Sequence, residues 1–184
     1  DVADEEDVLR IFAAADEMGS PLQVLVNNAG IVGAKTTIAD VTAERVRHIF
    51  DVNVLGTILC CREAVGRMSS GAAIVNVGSV AARLGSAGEY VDYAASKAAV
   101  DTLTVGLANE VATAGIRVNC IRPGTIDTDI HASGGQPDRA QRVAPMIPMQ
   151  RPGTADEIAA AIAWLCSDDA SYMTGAIVDV SGGR

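Results

Sequence analysis

Tyr93 and Lys97 stand four residues apart in Tyr93-Ala-Ala-Ser-Lys97, at the head of an alanine- and leucine-rich stretch that runs to Thr113. On a helix that spacing puts both on one face, with Cβ atoms about 5–6 Å apart. A free tyrosine titrates near pH ~10 and is a poor proton donor or acceptor at neutrality. An ammonium beside it favours the phenolate and brings its pKa toward the working range. Reversible carbonyl reduction requires such a pair, because one group must give a proton to the oxygen while a cofactor gives hydride to the carbon. By itself, a Tyr and a Lys at helical spacing are more often a solvated helix face than a reacting pair.

The elements that would position this pair can be read from periodicity. Asp4 to Met18 has apolar residues at Val8, Ile11, Phe12 and Ala15, a helical pattern. Leu22 to Val26 is a short apolar run, a buried strand. Thr42 is an N-cap for a helix running toward Met68, with Arg45 rather than Glu at the third position, so no capping box forms. Ala73 to Val77 is a strand, Asp92 to Thr113 a long helix stopped near Gly115, and Ile116 to Ile121 a strand ended by Pro123-Gly124. Thr154 to Ser167 is a helix and Ala176 to Val180 a last strand. This alternation predicts an α/β fold with a parallel sheet covered on both faces, and ligands bound outside the carboxyl ends of its strands. Thr125 to Gln150, with Pro137, Pro145, Pro148 and Gly134-Gly135, has few periodic positions and reads as a lid or a disordered segment.

Several polar stretches surround the Tyr–Lys pair in order: Val-Leu-Val-Asn27-Asn28-Ala29-Gly30, Asp51-Val-Asn53-Val-Leu-Gly56, Asn76-Val-Gly78-Ser79, Asn119-Cys-Ile-Arg-Pro123-Gly124 and Ser181-Gly-Gly183. Over essentially the whole chain this order resembles the short-chain dehydrogenases/reductases. The resemblance implies a Rossmann-like doubly wound parallel sheet and an oxidoreductase that interconverts an alcohol and a ketone or aldehyde with NAD or NADP. Tyr93 would be the general acid/base and Lys97 would lower its pKa and hold the nicotinamide ribose. Ser79 would donate a hydrogen bond to the substrate oxygen. Asn53 would bond a helix backbone carbonyl and position a water that relays protons to Lys97. Asn28, Ala29 and Gly30 would flank the adenine ribose, and Asn27 would pin the central strand. Pro123, Gly124, Ile126 and Thr128 would receive the nicotinamide carboxamide, and residues 125–150 would be the substrate loop. A non-catalytic cofactor-binding or regulatory relative is the alternative, against which the complete set Asn53, Ser79, Tyr93 and Lys97 argues. The Ser79-to-Tyr93 interval of 14 is about one residue longer than the family pattern, which could move the loop Val80 to Glu89.

The family's glycine-rich pyrophosphate turn has no counterpart here, since Gly134-Gly135 and Gly182-Gly183 lie in the wrong places. Asp1-Val2 aligns with the Asp-Val at the end of the family's third strand, where the adenine ring rests. The chain is therefore expected to be the C-terminal two-thirds of a single domain, N-terminally truncated, without the family's first three strands. On its own it is expected to be inactive. The apolar strand Leu22 to Val26 would then need cover, from residues 1–18 or from another surface.

Composition excludes other classes. The net charge is −9 with no basic stripe, so nucleic acid is a poor partner. With 3% aromatics against 49% hydrophobic residues, the core must be aliphatic. Cys60, Cys61, Cys120 and Cys166 form no CxxC pair and only His48 and His131 accompany them, which argues against a zinc site. Small buried thiols and a reducing, cytoplasmic setting are expected. The longest clean apolar run, Ile158 to Cys166, is far short of the ~20 residues of a membrane span and reads as a buried helix. The substrate is expected to be a small polar carbonyl, because the lid carries Asp127, Asp129, His131, Asp138, Arg139 and Arg142. A homodimer or homotetramer is expected through the Tyr-bearing helix, at Ala98, Ala99, Thr102, Leu103 and Val105, and through the last strand.

Overall fold

The computed structural model describes residues 1–184. Asp4 caps α1 (Glu5–Glu17), its carboxylate accepting from the Asp7 amide at 3.0 Å. After β1 (Val24–Asn27), Thr42 caps α2 (Ala43–Phe50) by accepting from the Arg45 amide at 3.2 Å. The helix expected to run toward Met68 is not continuous. It passes through a π turn at Asp51–Leu55 and resumes as α3 (Gly56–Val65). Turns of this kind are frequent at functional sites, and Asn53 lies in its middle. There follow β2 (Ala73–Val77), α4 (Ala81–Leu84), α5 (Val91–Val111) and β3 (Arg117–Pro123). The longer interval between Ser79 and Tyr93 is taken up by α4 and by left-handed turns at Gly85, Ser86 and Gly88. The chain ends with α6 (Ile130–Ser133), α7 (Arg139–Val143), α8 (Ala155–Cys166) and β4 (Ile177–Val180).

The four strands form one parallel sheet in the order β1-β2-β3-β4. Side chains alternate across it, so neighbours in one strand serve opposite layers. Ile74 and Val118 pack against α1, α3 and α5 with Val8, Phe12 and Leu59. Val75 and Ile121 pack against α8 through Ile158 and Leu165. Burial on both faces explains why β2 is apolar but for Asn76, while β3 mixes Val118, Cys120 and Ile121 with Arg117, Asn119 and Arg122.

Two expectations need correction here. The apolar run Ile158 to Cys166 is not a buried helix, since α8 presents only Ile158 and Leu165 as buried residues and Trp164 is 43% exposed. A helix laid on one sheet face buries one stripe. The strand at Leu22 to Val26 is covered on one side only. Leu22 and Leu25 pack against the cluster that contains α1, while Val24 and Val26 on the opposite face are 42% and 38% exposed.

The segment 125–150 is more structured than its sequence suggests. It carries α6 and α7 and is tied down by an Arg139–Glu89 ion pair at 2.6 Å and a Gln136–Tyr90 hydrogen bond. Ala140, Val143 and Ile147 are buried beneath it. These anchors are long-range, so local periodicity could not reveal them. No helix is long and apolar enough to cross a membrane.

Candidate active site

Every strand delivers its following residues to the same edge. Asn28 follows β1, Ser79 follows β2 and Gly124 follows β3 at the carboxyl side of the sheet, where ligands of open α/β sheets bind. The start of α5 brings Tyr93 and, one turn on, Lys97 to this edge. Ser79, Tyr93 and Lys97 all line one cavity of about 1800 Å³, together with Asn28, Gly30, Pro123, Gly124, Ile126 and Thr128. Ala29 is exposed between two lining residues and does not itself line the cavity. Asp1 and Val2 are not brought there. The Asp1 amino group pairs with Asp7 at 2.7 Å, and Val2 packs against the α1–α3 core and beside Gly56. The short turn that leads into α1 holds them in that layer.

Asn53 is fully buried and does not bond a helix carbonyl. Its amide donates to the Ile31 carbonyl at 3.0 Å and to Ser96 Oγ at 3.0 Å, and its oxygen accepts from the Ile31 amide at 2.8 Å. The side chain thus fastens the loop after β1 to α5, and its polar groups are engaged by protein partners. Asn27 does tie strands together. Its amide donates to Asn76 Oδ1 at 2.8 Å, and Asn76 donates to Thr104 Oγ1 at 2.9 Å. Ser96 was missed as a site residue. Its signal was its place as the one polar residue between Tyr93 and Lys97.

The electrostatics depart from the simple Tyr–Lys pairing. Lys97 Nζ donates to the Val77 carbonyl at 2.8 Å and lies 5.9 Å from the Tyr93 ring centroid. Burial pushes its pKa down to about 8, with charge at Cys120 and Asp101 opposing. The Tyr93 phenol is raised, not lowered: burial dominates, and the nearby Ser79 hydroxyl and the charge of Arg139 only partly offset it. Desolvation of the buried phenol penalises the phenolate more than these partners favour it.

A second unanticipated contact fixes the start of α5. Arg45 Nε donates to Asp92 Oδ2 at 2.6 Å, and Asp92 Oδ1 accepts from the Tyr93 amide at 3.0 Å. Burial raises the Asp92 carboxyl, but the bonds from Arg45 and the Tyr93 amide outweigh it and hold the group below its ordinary range.

The residues present suit a dinucleotide at this edge. A Cβ on Gly30 would stand 3.2 Å from Lys97 Nζ and 3.4 Å from Asn53 Oδ1, so glycine keeps open the space beside the lysine. A cofactor ribose held by Lys97 would need such a space.

A family model described as enoyl-(acyl carrier protein) reductase matches residues 1–184. The chain is 58% identical to an uncharacterized oxidoreductase, YgfF, of Escherichia coli, covering all of this chain and 76% of that protein. It is 40% identical to cis-4-hydroxycyclohexanecarboxylate dehydrogenase of Sinomonas cyclohexanicum, over all of this chain and 74% of the relative. Among solved structures, a blue fluorescent protein from a metagenomic library, in complex with NADPH, superposes with a TM-score of 0.91 at 32% identity, over all of this chain and 73% of that one. Sequence and fold thus agree over the whole chain, and the chain belongs to the short-chain dehydrogenase/reductase family of oxidoreductases.

Proposed function

We propose that the gene product carrying these residues interconverts an alcohol and a ketone or aldehyde with NAD or NADP, using Tyr93 as general acid/base. The observation that carries this is the convergence of Ser79, Tyr93 and Lys97 on one cavity at the carboxyl edge of the sheet. When bound, the nicotinamide ring supplies the hydride to the carbonyl carbon or takes it from the alcohol. Asn28, Gly30, Pro123, Gly124, Ile126 and Thr128 would hold the dinucleotide. Tyr93 gives its phenolic proton to the carbonyl oxygen in reduction and takes it back in oxidation. Ser79 donates to the same oxygen and stabilises the charge developing there. Lys97, largely charged at neutrality with its pKa at about 8, favours the phenolate as the proton leaves.

The test is turnover with NADH and NADPH against a carbonyl panel. Tyr93→Phe and Lys97→Ala should each cost about 10²–10⁴ in kcat/KM, the range for general acid–base catalysis. Variants within a few-fold of wild type would show the roles to be wrong. Wild-type protein that binds the dinucleotide but turns over nothing would favour a regulatory relative. The 184 residues alone contain no glycine-rich phosphate turn, so they are expected to bind NAD(P) weakly and to be inactive. Calorimetric titration of that chain giving a micromolar dissociation constant would overturn this. The protein is proposed to assemble as a homodimer or homotetramer, supported by the exposed positions Thr102 and Val105 on α5. Light scattering that gave a strict monomer at micromolar concentration would remove that idea.

A further inference from the structure

The charges around the cavity are sorted as those of the whole chain are not. The chain has a net charge of −9. Yet the cavity is lined by Lys35, Arg45, Lys97, Arg139, Arg142 and Arg184, against the carboxylates of Glu89 and Asp129. Arg45 is matched by Asp92, and Lys97 belongs to the reacting pair. Of the four that remain, the lid helix α7 contributes Arg139 and Arg142; Lys35 lies 4.0 Å from Glu89, and Arg184 is the last residue of the chain.

Arg139 is the unusual one. Its Nη2 meets Glu89 Oε2 at 2.6 Å and its guanidinium carbon lies 5.4 Å from the Tyr90 ring centroid. Its Nε is buried and is the single buried side-chain nitrogen or oxygen without a hydrogen-bond partner. A buried donor on a charged group is costly to leave unmatched, and native structures seldom do so without a reason. The charge is also felt at the reacting centre, where it opposes the upward shift of the Tyr93 phenol. Arg142 stands alongside, its Nη2 donating to Gln136 Oε1, while Gln136 donates to the Tyr90 hydroxyl.

We propose that the substrate carries a carboxylate, which Arg139 binds with Arg142 beside it while the reacting carbon faces Tyr93. This rests on the oxidoreductase reading above and names its substrate class. A guanidinium presents a planar fork of donors matched to a carboxylate, and Glu89 engages only Nη2. A second carboxylate sharing the guanidinium adds negative charge beside the unmatched Nε, which is itself closed to the cavity. Arg139 lies on the lid helix α7, and its contacts are Glu89 and Tyr90, just ahead of Tyr93 in the chain.

The experiment compares 4-oxopentanoate with its methyl ester, a pair differing by one charge, on the gene product with its preferred dinucleotide. Wild type should favour the acid by about tenfold or more in kcat/KM, the scale of one charge-assisted hydrogen bond. Arg139→Met should bring the ratio near one, and Glu89→Gln, which frees the guanidinium, should move it further toward the acid. The opposite signs separate recognition from a general loss of folding. Equal use of acid and ester refutes the carboxylate site and leaves the oxidoreductase reading standing. Arg139→Met weakening NADPH binding as much as it weakens the acid also refutes it, because the guanidinium would then serve the cofactor. If wild type reduces neither compound nor any carbonyl of the panel, the oxidoreductase reading fails. Ligand-observed NMR of the acid and the ester still decides the anion site. Acid-selective binding lost in Arg139→Met supports it, and its absence refutes it.

Discussion

Replacing Arg45 with Met should be among the most damaging single changes outside the hydrophobic core. The Asp92 side chain is 2% exposed and that of Arg45 19%. The guanidinium reaches both carboxylate oxygens, Nε to Oδ2 at 2.6 Å and Nη2 to Oδ1 at 3.3 Å, and donates from Nη1 to the Ala34 carbonyl at 2.5 Å. It lies so close to Gly33 that a Cβ there would come within 2.5 Å of its Cζ. Methionine keeps most of the stem and removes the charge and all three donors. An exposed pair would contribute about 0–1 kcal/mol. Here a buried carboxylate loses its counter-charge, for which the expected cost is about 3–5 kcal/mol. The pH dependence has a definite sign. In the wild type the folded pKa of Asp92 is depressed, so its contribution is present above the unfolded pKa and is lost as pH falls through the folded value. In the variant burial dominates and the folded pKa rises. The variant's penalty is therefore full at neutral pH and is relieved as acid protonates the group. Urea unfolding followed by far-UV circular dichroism at pH 7 and at pH 5 measures the difference. Arg45→Met/Asp92→Asn should be less destabilised than Arg45→Met alone. A deficit under about 1 kcal/mol at pH 7, or one that does not shrink toward pH 5, would refute the reasoning.

Three other outcomes are expected. Asn53→Ala leaves the Ile31 amide and carbonyl without their partner and takes a donor from Ser96 Oγ, which keeps its bond to the Tyr93 carbonyl; at about 1 kcal/mol per bond lost it should destabilise by roughly 3 kcal/mol. A denaturant midpoint unchanged from wild type would contradict this. Lys97 titrates at about 8 when folded against 10.5 for the free side chain, so the unfolded state binds the extra proton between those values. Stability should rise with pH across that window in the wild type, and the rise should be smaller in Lys97→Met, as paired chemical melts would reveal. Gly30→Ala puts a methyl 3.2 Å from Lys97 Nζ and 3.4 Å from Asn53 Oδ1, and should weaken dinucleotide binding by about tenfold or more. Fluorescence titration with NADPH giving the wild-type affinity would remove the ribose from that space.

The parallel sheet was legible in the chain because β2 is buried on both faces. Such a strand reads as a short apolar run, and Ala73–Val77 is that run at its expected bounds. The Thr42 cap and the Tyr93–Lys97 pairing were legible for a related reason, since helix geometry ties residues three and four apart. Asn53 was marked by its type and its motif, but its partners were not. Ile31 is 22 residues away and Ser96 is 43, and only folding brings them together. The same holds for Arg45 and Asp92, separated by 47 positions, and for Arg139 and Glu89, separated by 50. The direction of the Tyr93 shift belongs to this second class. Local chemistry says that an ammonium one turn away lowers a phenol's pKa. Burial of the phenol reverses the result, because desolvation depends on everything packed around the group and not on its neighbours in the chain. Sequence therefore determined which residues stand at the edge of the sheet. Tertiary structure decided which of them touch, which are buried, and what charge each can carry.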